Sequence, residues 1–217
     1  YIMINKLKTF YMKNLILIFC LFSYQLTSAF AGNPGNEDFL KFFEKFKTDF
    51  NSKNISSLNE YIDPEHGIFV LDNPGAFINC YYFSSFDPVL NSSKETDLYR
   101  IKNLKINCEP AEGSLPQYNC ESDKEGWDKD GCYFNNTPEK NFNSRVYGYA
   151  DDNGNYGFEG DGNENGVYKI IREKSERSSD KFKYSFYTTD SNMGLYFGES
   201  DGKFFLLMID LVTPCDA

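Results

Sequence analysis

The residues best spaced for chemistry are Asp161-Gly162-Asn163-Glu164-Asn165-Gly166. Asp161, Asn163 and Asn165 stand at positions one, three and five of a calcium-loop pattern, with glycine at six. Alternate residues of a tight turn can aim three oxygens at one point, and calcium takes six to eight. The second half of the pattern fails, because position twelve is Arg172 and Glu173 comes one residue late. The upstream Asp151-Asp152-Asn153-Gly154-Asn155 could supply further oxygens. Asp, Asn and Gly also gather in turns because they tolerate left-handed backbone angles, and that reading outweighs the metal. No other cofactor is implied.

The single histidine, His66, lies in Asp63-Pro64-Glu65-His66-Gly67, beside two carboxylates that could make it a general base. It is the one catalytic candidate, and no Gly-x-Ser-x-Gly elbow or Ser-x-x-Lys accompanies it. A turn histidine capping the second helix is the stronger expectation. Trp127, the only tryptophan, sits in Glu125-Gly126-Trp127-Asp128-Lys129-Asp130-Gly131-Cys132. It is read as a plug packed on a nearby disulfide or as an exposed contact, with Tyr118 and Tyr133 as partners in stacking a carbohydrate. Aromatics make up 18% of the chain, which makes such groupings cheap.

Residues 1–31 read as a secretory address. Lys6, Lys8 and Lys13 give a positive start, and no acidic residue precedes Glu37. Leu15 to Phe22 is an apolar run too short to span a bilayer, and Ala29-Phe30-Ala31 offers a small-x-small cleavage pattern. Met12-Lys13-Asn14 is the expected true start. Phe19 before Cys20 argues against lipidation, which prefers a small residue there. Processing would lower the formal charge from -10 to -13, leaving 19 basic against 32 acidic side chains. So acidic a chain shows no basic face for nucleic acid, and no membrane span is expected after cleavage. Export to the periplasm or the extracellular medium makes Cys80, Cys108, Cys120, Cys132 and Cys215 disulfide candidates. Two bridges and one leftover thiol is the simplest count, and their pairing stays open. No Cys-x-x-Cys occurs, which removes the usual redox motif and a zinc ribbon.

The elements that must hold these residues come in two blocks. Glu37 to Phe50 predicts an amphipathic helix, with Phe39, Phe43, Phe46 and Phe50 at spacings of four, three and four, Leu40 and Phe42 beside them, and Asn36 as N-cap. Ile55, Leu58, Tyr61 and Ile62 predict a second, short helix. Ile68 to Leu71 and Phe77 to Phe86 follow as strands, and Asp97 to Ile106 fits helix and strand equally. Residues 107–145 read as a loop-rich insertion tied down by its three cysteines. Val146 to Tyr149, Val167 to Ile171 and Phe182 to Tyr187 read as strands. Leu195 to Gly198 and Phe204 to Val212 form a closing hairpin around Glu199-Ser200-Asp201-Gly202. Helices followed by strands predict one α+β domain over 32–217, its helices packed on one face of a curved antiparallel sheet.

The Phe-rich opening helix, Tyr61-Ile62-Asp63-Pro64 and the closing Leu195-Tyr196-Phe197-Gly198-Glu199-Ser200-Asp201-Gly202-Lys203-Phe204-Phe205-Leu206 resemble the NTF2-like (cystatin-like cone) superfamily. Within it, the pattern is similar to exported proteins of Bacteroidetes-type bacteria. The resemblance implies a sheet curled around a helix, often with a cone-shaped cavity, and homodimers through the outer sheet face. Members of that fold include enzymes and binding proteins, so fold alone does not decide function. The expectation is a non-enzymatic exported binding domain contacting a small apolar ligand or a protein. Its rivals are a hydrolase or isomerase working in the cone, and a calcium-stabilised surface protein.

Overall fold

The structure is a computed structural model describing residues 34–73, 78–91, 97–121, 123–136, 146 and 166–215. Residues 1–31, expected to be a secretory signal, Asp151 to Asn155 and the calcium candidates Asp161, Asn163 and Asn165 lie outside the described residues. The chain divides into two compact units, Tyr1–Lys41 and Phe42–Ala217. The described part of the first unit is the opening of helix α1 (Pro34–Ser52). Proline's fixed φ suits a first helical turn, so the helix starts at Pro34 and not at Glu37. Asn36 is therefore a buried residue inside the helix and does not cap it from outside.

In the second unit α1 continues with Phe43, Phe46 and Phe50 fully buried, as their helical spacing demands. Helix α2 (Ile55–Asn59) is capped by Asn54, whose Oδ1 accepts from the Ser57 N–H at 3.3 Å. Tyr61 and Ile62 follow the helix in a buried turn. The strands are β1 (Ile68–Asp72), β2 (Asn79–Phe83), β3 (Pro110–Glu112), β4 (Tyr118–Asn119), β5 (Gly126–Trp127), β6 (Cys132–Asn135), β7 (Phe182–Thr188), β8 (Met193–Ser200) and β9 (Lys203–Asp210). A short helix, α3 (Asp87–Leu90), and a 3-10 helix (Asp97–Lys102) bridge β2 and β3, and helix α4 (Gly166–Ser179) precedes β7.

Among the described residues seven strands form one curved sheet in the order β2-β1-β9-β8-β7-β6-β3, with β4 and β5 as a separate pair. Most pairings are antiparallel, but β1–β9 and β3–β6 run parallel. The β8–β9 hairpin closes through Asp201 and Gly202, both at positive φ (51° and 74°), the backbone of the two-residue turn that Asp-Gly favours.

Alternation along β8 sends adjacent side chains to opposite faces. Phe197 meets α1, with ring centroids 5.9 Å from Phe43 and 5.3 Å from Phe46, and Phe186 lies 4.5 Å from Phe43. Tyr196 joins a second cluster with Phe69, Leu71, Phe205, Leu207 and, from α4, Ile171. The sheet is therefore covered on both faces, where helices on one face were expected. Two further expectations change. Val167 to Ile171 belongs to helix α4, whose buried positions Ile171, Ser175 and Ser178 keep a helical spacing. Residues 107–145 are not only an insertion, since β3 and β6 within them are strands of the main sheet.

Phe46 carries the packing test. Truncation to alanine is expected to cost about 3–5 kcal/mol in urea unfolding, while Lys41→Ala on the exposed side shifts stability by less than about 0.5 kcal/mol.

Candidate functional site

Trp127 ends a two-strand hairpin in which Tyr118 pairs with Trp127 and Asn119 with Gly126. Gly126 has φ +148°, a conformation that L side chains rarely adopt, and it turns the chain into β5. The open end is closed by Asp128, whose N–H donates to the Gln117 carbonyl at 2.9 Å while its Oδ1 accepts from the Gln117 N–H at 2.8 Å. The hairpin lays its rings on the main sheet. Trp127 lies 4.9 Å from Tyr187 of β7, and Tyr118 meets it edge-on at 5.0 Å and 84°.

Both tyrosines are held at their far ends. The Tyr118 hydroxyl donates to Glu125 Oε1 at 3.2 Å, and the Tyr187 hydroxyl donates to Asn192 Oδ1 at 2.6 Å. Tyr133 pairs directly with Tyr187 across β6 and β7, but the Lys129 ammonium sits 4.4 Å over its ring, held by the Ser114 hydroxyl at 2.7 Å. Of the three aromatic residues expected to act together, Trp127 and Tyr118 therefore touch, while Tyr133 neighbours Tyr187 and has one face covered by Lys129. Tyr187 completes the group and was not among the sequence candidates. All four rings are half-buried. Among the described residues the Trp127 indole N–H has no hydrogen-bond partner.

Two disulfides brace this surface. Cys120 follows β4 and bonds Cys215 beyond β9, and Cys108 bonds Cys132 at the head of β6; each pair has a Cα separation of 5.7 Å. Among the described cysteines Cys80 is the free thiol. It packs against the Phe69–Leu71 cluster, and burial pushes it up to about 12. A neutral, sheltered thiol is a poor nucleophile.

His66 is placed in the core. Its ring stacks on Phe205 at 5.4 Å and 7°, and Nδ1 lies 3.3 Å from Ser178 Oγ. The Ser178 hydroxyl donates to the Lys174 carbonyl at 2.8 Å, so the imidazole Nδ1–H is the donor to Oγ. A serine whose proton is committed to a carbonyl is not an activated nucleophile. Asp63 Oδ1 accepts from the backbone N–H groups of Glu65 and His66, so it shapes the turn and does not pair with the ring. The residue does not cap α2, whose C-cap is Glu60.

A further group of titratable side chains lies elsewhere, where Tyr61 donates to Asp49 Oδ2 at 2.7 Å and Lys45 Nζ stands 3.1 Å from the same hydroxyl. Burial, then the bond to Asp49, pushes Tyr61 up to about 12, so it works as a fixed donor tying α1 to the turn after α2. Lys53, over the Phe50 ring at 3.6 Å, is lowered to about 8 by burial and then by Lys105. Among the described residues no group of three or more His, Cys, Asp or Glu could hold a metal ion, and no helix is long and apolar enough to cross a membrane. Searches against protein families, curated proteins and solved structures find no match to the chain.

Two outcomes are expected. Closing loops of 24 and 95 residues stabilises by about 3–5 kcal/mol each on the chain-entropy account, so Cys120→Ser with Cys215→Ser should lower unfolding free energy by about 2–5 kcal/mol in urea. For Cys80, whose thiol ordinarily ionises at 9.0 and is held protonated to about 12, the unfolded chain releases a proton that the folded chain keeps. Its contribution to stability is complete below pH 9.0 and lost as pH rises toward about 12, so the advantage of wild type over Cys80→Ala should shrink across that window.

Proposed function

We propose that the chain is an exported, non-enzymatic binding domain whose contact surface is the Trp127, Tyr118 and Tyr187 group. The observation that carries the reading is Trp127, half-buried, held by two tethered tyrosines and left with an unengaged indole N–H among the described residues. Tryptophan and tyrosine dominate interface hot spots, and a ring already fixed in place loses little freedom on binding. Two disulfides support export to the periplasm or beyond, because such bonds persist in oxidising compartments.

The NTF2-like reading is supported by α1 lying against one face of a curved sheet. Phe43, Phe46, Phe186 and Phe197 pack ring to ring between that helix and the strands, which favours an outer contact surface over a small guest inside a cone. The His66–Ser178 contact adds no nucleophile, which supports a binding role over hydrolysis.

Arrays of immobilised glycans and peptides, probed with the intact chain, test this. Trp127→Ala should weaken capture of any bound probe by about tenfold or more, while the chain stays folded and its stability falls by no more than the few kcal/mol that the lost ring contacts with Tyr118 and Tyr187 contribute. Undiminished capture by the variant would defeat the reading.

A further inference from the structure

Resting on that reading of the Trp127 surface, we infer that its ligand is a neutral, β-linked pyranose chain. A ligand for this surface must bring an apolar flat face to the indole, an acceptor for the indole N–H and polar groups for the surrounding rim. Pyranoses in which every substituent is equatorial have this composition, with a C–H face on each side and hydroxyls around the edge.

The rim fits hydroxyls. Gln117, Glu125 and Asp128 are exposed beside the rings, and Asn119 is half-buried. Glu125 and Asp128 each use one oxygen in the hairpin, on the Tyr118 hydroxyl and the Gln117 N–H. A carboxylate has about four acceptor positions, so both retain capacity for sugar O–H donors.

Charge narrows the sugar. The hairpin and its flanks carry Glu121, Asp123, Glu125, Asp128 and Asp130 against Lys124 and Lys129. Lys129 is already engaged with Ser114 and the Tyr133 ring. Uronates, sulfated glycans and phosphopolymers would meet repulsion here, and a neutral chain would not.

Strand length separates a glycan from a peptide. Extended peptides are held along a strand edge or by pockets at alternate residues. Each strand of this hairpin is two residues long, too short to hold an extended peptide along its edge.

Trp127 is the chain's only tryptophan, so its fluorescence reports the site directly. Cellohexaose and chitohexaose, titrated into the intact chain, should give a saturable shift in emission and matching heat in calorimetry, and hexagalacturonate should give neither. Trp127→Ala should abolish the heat, and Trp127→Phe, which keeps an aromatic face and loses the donor, should weaken binding about five- to twentyfold. Silence from both neutral hexasaccharides up to about 5 mM, the weak end of useful affinity, would overturn the glycan inference. If decaproline or oligolysine then bound through Trp127, the inference would fall while the binding-surface reading stood. If no probe on the arrays depended on Trp127, both would fall together.

Discussion

Strands β8 and β9 are each buried over six consecutive residues. Because neighbours on a strand point to opposite faces, the centre of this sheet is apolar on both sides. Such a sheet cannot leave either side in water, and each large side chain taken out of contact with solvent contributes about 1.5–3 kcal/mol. Helix α1 meets one face with phenylalanines. Helix α4 meets the other more sparingly, with Ile171 and two buried serines whose hydroxyls donate to carbonyls of their own helix, Ser175 to Arg172 and Ser178 to Lys174. Those internal bonds let a polar helix lie against an apolar surface with no stranded hydroxyl. The same two-sided burial suits the parallel β1–β9 pairing, which joins distant parts of the sequence in the middle of the sheet.

Legibility followed the range of the forces involved. The spacing of Phe39, Phe43, Phe46 and Phe50 is a local signal of a helix, and all four are fully buried. Asp201-Gly202 is likewise local, since its two left-handed residues force the hairpin. Helix α4 was misread because Val167 to Ile171 is rich in β-branched residues and short enough to pass for a strand. Its buried face continues through serines, which a hydrophobic pattern does not register. Strands β3 and β6 were invisible for another reason, being three and four residues long and paired only across large sequence gaps.

The candidate site shows the same division. Trp127 and Tyr118 stood out in the sequence as aromatics within a charged, cysteine-bearing stretch. Tyr187 did not, because in a chain with 16 tyrosines nothing marks the one that β7 brings under the hairpin. Tyr133 lies opposite Tyr187 across β6 and β7, and Lys129 lies over its ring, a contact no spacing rule announces.

Site and compartment are physically coupled. The β4–β5 pair has only two residues per strand, and an isolated hairpin of that size is marginal in water. Contact with Tyr187 contributes on the order of 1 kcal/mol beyond burial. The Cys120–Cys215 bridge, at about 3–5 kcal/mol by chain entropy, is the larger contribution to holding the hairpin to the body of the fold. Both of its half-cystines are exposed. In a reducing compartment that bond would be open to thiols, the hairpin would lose its main tether, and Trp127 would lose its fixed place on the sheet. An aromatic surface held in this way has a defined shape only where disulfides last, so one covalent feature ties the order of the Trp127 surface to an oxidising compartment.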